Sequence, residues 1–192
     1  MNKIKFNSPF LTGKELNYIK DVFTENQFYG VGKYTKKCEK LIRNQLGKKN
    51  ILLTDSCTSS LEIAALLIKD KIKDEVIVPS YGFSSTANAF AKLNMKVVFA
   101  EIEKYSLMLD IDDVKKKINK KTKAIVVIHY GGMAARIGQL KNLCKQNQIM
   151  LIEDNAQGYG CKFDNNSLGT IGDMGCFSFH ETKNIHSGLG GA

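Results

Sequence analysis

The sequence predicts an α/β fold, an open and mostly parallel central sheet flanked by helices. Three observations carry this. Short apolar runs near residues 50–54, 75–78, 96–100, 123–130, 149–152 and 176–179 recur along the chain, about 20–30 residues apart. Segments with the apolar spacing of amphipathic helices separate them. Polar or glycine-containing stretches follow the runs, as happens where buried parallel strands open their carboxyl ends into a crevice.

Residues 1–10 read as an irregular arm. Thr12-Gly13-Lys14-Glu15 then opens a helix with Leu16, Ile19, Val22 and Phe23 on one face, and Thr12 and Glu15 have capping-box spacing. Residues 26–32 break it. A second amphipathic helix, residues 34–46, is closed by Gly47. The first strand, 50–54, leads through Asp55-Ser56-Cys57-Thr58-Ser59-Ser60 into a helix carrying Leu61, Ile63, Ala64, Leu67 and Ile68. Ser59 and Glu62 again have capping-box spacing. The second strand, 75–78, ends at Pro79, and a helix over 87–93 follows. The third strand is 96–100, and Asp112-Asp113 starts a basic helix to about Asn119. The fourth strand, 123–130, runs into Gly131-Gly132. A helix over 138–147 precedes the fifth strand, 149–152. A glycine-rich polar connection then leads to the last strand, 176–179.

The chain has 192 residues, 43% hydrophobic and 24% charged, which is ordinary globular composition with material for one core. The net charge of +9 suits anionic partners, either nucleic acid or phosphorylated small molecules. The lysines fall in two groups, Lys33, Lys36, Lys37, Lys40, Lys48 and Lys49, and a second set between Lys115 and Lys123. Both read as solvated helix faces and turns. Without a nucleic-acid motif or aromatic–basic interleaving, nucleic acid is set aside as a partner. Cys38, Cys57, Cys144, Cys161 and Cys176 lack metal-ligand spacing, so no metal is expected. They read as reduced thiols of a cytoplasmic protein, since Met1-Asn2-Lys3-Ile4-Lys5 is not signal-like. Apolar runs such as 124–128 are too short to span a bilayer.

The residues that could carry chemistry all fall after strands: Cys57 to Ser59, Phe83, His129, Asp154 to Gln157, and Ser178 to Lys183. Their agreement argues for one ligand crevice. Asp154 and Lys183 are the pair that pyridoxal 5′-phosphate (PLP) chemistry needs. Lysine forms the Schiff base, and a carboxylate keeps the pyridine nitrogen protonated. Small hydroxylated residues at the helix start after residue 54 leave N–H groups open to a phosphate. Each residue also has a plainer reading. Lys183 could be a solvated surface lysine, and Asp154 or Ser59 a helix cap. Phe83 could be a core aromatic, and His129 a satisfied buried histidine.

The chain resembles the fold-type-I PLP aminotransferases of the DegT type, which aminate nucleotide-linked keto sugars. The resemblance rests on Leu53-Thr54-Asp55-Ser56-Cys57-Thr58, residues 78–90, His129-Tyr130-Gly131-Gly132, Glu153-Asp154-Asn155-Ala156-Gln157-Gly158, Leu168-Gly169-Thr170-Ile171-Gly172 and residues 177–184. It implies roles residue by residue. Lys183 is the Schiff-base lysine and Asp154 the acid on the pyridine nitrogen. Gln157 contacts the ring 3-hydroxyl and Phe83 stacks on the ring. Ser56, Cys57 and Thr58 form the phosphate turn, with Ser178 a further phosphate-binding hydroxyl. Asn155, Arg136, Gly138 and Leu189 depart from the family's pattern.

The implied activity moves an amino group from an amino acid, glutamate by family expectation, to a nucleotide-activated 4-keto-6-deoxy sugar, dTDP-linked, for cell-surface polysaccharide. A 3-keto sugar aminotransferase, a PLP sugar dehydratase of the same fold and an inactive or non-catalytic PLP-binding fragment are the alternatives. The resemblance also implies a homodimer and a chain about twice this length. On that expectation residues 1–192 are the N-terminal part of the PLP-binding large domain, with 1–48 the arm and helices and 49–192 the sheet core. A seventh, antiparallel strand between the first and sixth, and a C-terminal small domain, would then follow Ala192, and the 192 residues alone would be inactive or nearly so.

Overall fold

A computed structural model describes residues 4–5, 7–48, 50–70 and 74–192. Parts of the expected arm, and Lys49 of the first lysine group, lie outside the described residues. The chain forms two compact units, one up to Leu53 and one from Thr54 onward.

The first unit holds α1 (Glu15–Thr24) and α2 (Lys33–Leu46). Glu15 reaches back as the spacing predicted, accepting the Thr12 backbone N–H at 2.7 Å and its hydroxyl at 2.8 Å. Thr12 itself does not cap the helix. Gly13, at φ +81°, turns the chain so that Lys14 takes the N-cap position, and the Thr12 hydroxyl accepts from Lys14 N–H instead. Gly47 closes α2 in the left-handed region, as expected of a glycine there. Lys33 and the Tyr34 hydroxyl both bond Asp21, which ties α2 to α1.

The second unit is a parallel sheet with helices on both faces. Its strands are β1 (Glu75–Pro79), β2 (Lys96–Ala100), β3 (Thr122–Ile128), β4 (Met150–Asn155) and β7 (Met174–Phe177), in the order β2-β1-β3-β4-β7. All four pairings are parallel. On one face α3 (Cys57–Ile68) and α4 (Ser85–Ala91) bury Leu61, Ala65 and Phe90 against Val76, Val78, Val126 and Ile152. On the other, α5 (Ile111–Lys117) and α6 (Ile137–Asn147) bury Val114, Ile137 and Leu140 against Ile77, Ile125, Val127 and Leu151. Burial on both faces is why β1 and β3 read as unbroken apolar runs. Each Val, Leu, Ile or Phe among them contributes about 1.5–3 kcal/mol of apolar burial.

Between β4 and β7 the polar connection forms a two-strand hairpin, β5 (Lys162–Phe163) and β6 (Asn166–Ser167). Asp164 and Asn165 at its tip both have positive φ, the requirement of a tight primed turn.

The helix starts shift from their predicted places for local reasons. Ser56, not Ser59, caps α3, and its hydroxyl accepts Ser59 N–H. Asp110 caps α5 by accepting Asp112 and Asp113 N–H. Two strand expectations also change. Of residues 50–54 only Thr54 pairs, antiparallel to Gly191. Pairing of the last strand to β4 ends at Phe177. Ser178 and Phe179 turn to residues 190–192 instead. Phe177 and Ala192 exchange both backbone bonds, and Phe179 N–H donates to Gly190 O at 2.8 Å. Gly191 bridges Thr54 on one side and Ser178 on the other. Residues 190–192 thus run antiparallel to residues 177–179, with Thr54 on their other side.

Candidate active site

The site is built at the carboxyl ends of β4 and β7. In their register Asp154 stands opposite Cys176. Side chains alternate along β4, so Asp154 faces α3 and α4 while Glu153 and Asn155 face away. Asp154 is only 4% exposed. Thr86 Oγ1 donates to its Oδ2 at 2.6 Å, and Ala156 N–H donates to Oδ1 at 3.2 Å. The Cys57 thiol lies 3.8 Å from Oδ1. Burial pushes this carboxyl above the usual carboxylate range, while Thr86, Ala156 N–H, the Lys183 charge and Cys57 hold it down. Asp154 is therefore no helix cap but a desolvated carboxylate in a built pocket of donors.

Lys183 sits in the loop that leaves Phe179 and returns to Gly190. Ser187 N–H donates to Phe179 O at 2.9 Å and Glu181 N–H to Gly188 O at 3.0 Å, closing the loop at its base. Within it Lys183 N–H bonds His180 O, and Asn184 Nδ2 ties the loop to Tyr159 O at 2.6 Å. Lys183 is half-buried. Its charge acts on both Asp154 and Cys57, so the predicted pair shares one electrostatic environment.

Ser56, Cys57 and Thr58 open α3, a helix of three turns whose first N–H groups have no acceptor inside the helix. Ser56 satisfies Ser59 N–H, so the Cys57 and Thr58 end is where an anion would be bound. Gly191 lies hard against this turn. A Cβ there would sit 2.3 Å from Ser56 C and 2.6 Å from Cys57 N. Ser178, paired with Gly191, is thereby brought beside the same turn, and its hydroxyl accepts His180 N–H.

Gln157 follows β4 and accepts Gly131 N–H through Oε1 at 2.6 Å. A backbone N–H can only donate, so the amide is oriented and Nε2 remains to donate. Phe83 is 76% exposed, which removes the core-aromatic reading. Its loop rides on the end of β3, because a Cβ on Gly82 would lie 2.3 Å from Ile128 Cδ1.

His129 does not join the crevice. It is wholly buried, with Ala135 N–H donating to Nδ1 and Nε2 at 2.8 Å from Glu153 Oε2. Nδ1 is an acceptor, so Nε2 carries the proton and donates. This is the satisfied buried histidine. Glu153, also wholly buried, further accepts Gly169, Ile171 and Gly172 N–H at 2.5–2.7 Å. Burial pushes its carboxyl up, but His129 and these backbone groups win and hold it below its ordinary value.

Thr86 escaped the sequence reading, which began the helix one residue after it. The signal was a Ser-Thr pair at a helix start directly after a strand and turn. Tyr81 and Tyr130 were also passed over. Their rings pack with centroids 4.9 Å apart, tilted by 42°, just past the neighbouring ends of β1 and β3.

Known proteins resemble the chain in sequence and in fold. GDP-perosamine synthase of Vibrio cholerae is 37% identical over 183 residues, covering 95% of this chain and 50% of that protein. The structure of Helicobacter pylori PseC, an aminotransferase of pseudoaminic acid biosynthesis, superposes with a TM-score of 0.90 at 26% identity, covering 99% of this chain and 51% of that one. The E. coli GDP-4-keto-6-deoxy-D-mannose-3-dehydratase with bound hydrated PLP gives a TM-score of 0.90 at 28% identity, over 100% of this chain and 50% of that one. The chain spans about half the length of these relatives. Residues 9–192 match the DegT/DnrJ/EryC1/StrS aminotransferase family, and the chain belongs to it.

Proposed function

We propose that the whole protein is a PLP-dependent aminotransferase that aminates a nucleotide-activated keto sugar. One observation supports this most: a buried carboxylate, Asp154, near the end of β4, with Lys183 on the loop that leaves the adjacent strand β7. The residues present suit the cofactor. Asp154 has the chemistry to accept the ring N–H, the α3 N-terminus and Ser178 to take the phosphate, and Gln157 Nε2 to donate to the ring oxygen. Phe83 supplies an exposed ring to cover it.

PLP, when bound, supplies an electron-accepting ring and carries the amino group between donor and acceptor. Asp154 holds positive charge on the ring nitrogen, which that ring needs. Lys183 is the attachment point. Once free, its amine moves the proton at the donor's Cα, which requires it to be neutral at that moment.

The sugar is a 4-keto-6-deoxy hexose, and glutamate is the donor. A dTDP carrier is favoured by residues 178–184, which resemble those of dTDP-4-amino-4,6-dideoxygalactose transaminase. A GDP carrier is the competitor, since a relative is GDP-perosamine synthase. Lys183 speaks against the dehydratase reading, because histidine takes its place in that branch. The assembly is a homodimer. The test is single-turnover amination of matched dTDP- and GDP-4-keto-6-deoxy sugars by the full-length protein loaded with amino donor. An aminated sugar supports the reading. A deoxygenated, unaminated product would overturn it.

A further inference from the structure

Asp154 has room for four hydrogen bonds on its two oxygens. Oδ1 is filled on both sides, by Ala156 N–H at 3.2 Å and the Cys57 thiol at 3.8 Å. Among the described residues Oδ2 receives only Thr86 Oγ1, at 2.6 Å. One acceptor position is therefore open, and it lies on Oδ2. Thr86 is itself fixed, since its N–H bonds Phe83 O at 3.1 Å and the side chain is buried. A single residue thus links the loop carrying Phe83 to the carboxylate.

We propose that Thr86 is a positioning residue for the reaction, holding Asp154 charged and turned so that Oδ2 takes the N–H of the cofactor ring. This rests on the reading of Asp154 as the ring-nitrogen acceptor. The physical reason is a proton balance. Asp154 and the ring nitrogen compete for one proton inside a site of low polarity. A short hydroxyl bond to Oδ2 stabilises the carboxylate and leaves the proton on the ring. Without it the carboxylate becomes the stronger base and takes the proton. The ring then loses its positive charge and its capacity to accept electrons. Val at 86 keeps the shape and removes the donor, whereas Ser keeps the donor and removes the methyl.

The experiment uses full-length protein loaded with PLP labelled with 15N at the ring nitrogen. Wild type, Thr86→Val and Thr86→Ser are compared by 15N NMR and by steady-state kinetics. Wild type should show a protonated ring nitrogen. Thr86→Val should move the resonance toward the unprotonated position and lower kcat about 10- to 100-fold, the worth of a hydrogen bond to a charged group, with KM for the sugar within about twofold. Thr86→Ser should restore both. A wild-type resonance and kcat in Thr86→Val would overturn the proposal. So would a shifted resonance in Thr86→Ser, which decides the matter even if the valine variant does not fold. Wild-type protein that binds no PLP would instead sink the functional reading itself, a distinct outcome.

Discussion

Glu153 and Asp154 are consecutive on β4, point to opposite faces of the sheet, and are displaced in opposite directions from ordinary carboxyl behaviour. The difference lies in their partners. Glu153 meets His129 and three backbone N–H groups, which outweigh its burial. Asp154 meets one hydroxyl, one N–H and a distant thiol, which do not.

Opposite shifts give opposite pH dependences. The folded pKa of Glu153 is depressed, so its stabilisation is whole above its ordinary value of 4.5 and is lost as pH falls through the folded value. The folded pKa of Asp154 is raised, so its contribution is whole below its ordinary value of 3.8 and is lost as pH rises through the folded value. In cofactor-free protein at neutral pH, Glu153→Gln should therefore destabilise by about 3 kcal/mol or more, because it disrupts a buried charge held by several donors. Asp154→Asn should raise the melting temperature at neutral pH, with the gain shrinking in acid. Thermal melts of both variants across pH check this. A loss of stability at neutral pH in Asp154→Asn would contradict the account.

Gly191 is expected to be irreplaceable. A Cβ at that position would overlap Ser56 C and Cys57 N, both rigid backbone. Gly191→Ala should push residues 190–192 away from the anion turn. PLP affinity should fall at least tenfold while the Glu153 network is retained. Equilibrium dialysis against PLP, with circular dichroism as the control, measures both.

Thiol reactivity should follow burial. Cys57, Cys144 and Cys176 are buried, and desolvation pushes all three thiols up, Cys144 to about 12. Cys38 is exposed. Brief treatment of the native protein with iodoacetamide, read by peptide mass spectrometry, should label Cys38 first. Cys57, Cys144 and Cys176 should react only after unfolding.

Much of this was legible in the sequence because buried parallel strands have no polar face to confuse their reading. β1 through β4 and the helices α2 to α6 fall within a few residues of their expected places. Asp154, Lys183 and the turn at 56–58 were visible as polar residues after apolar runs. Thr86 was not, because a threonine at a helix start is satisfied by many local bonds. Its partner here lies 68 residues away. The part played by residues 190–192 was legible only through the family's strand order. Nothing apolar marks Gly190, Gly191 and Ala192 as a strand, and their pairing with Thr54 and Ser178 is purely backbone. His129 was open between two readings because its deciding partners, Glu153 and Ala135 N–H, come from sheet pairing and a turn.

The most direct test concerns Lys183. Full-length protein loaded with PLP should be reduced with borohydride, digested and mapped by mass spectrometry. The account predicts a pyridoxyl group on Lys183, and no stable label anywhere after Lys183→Ala. Label on a different lysine, or wild-type protein that takes up PLP without any reducible link, would contradict it.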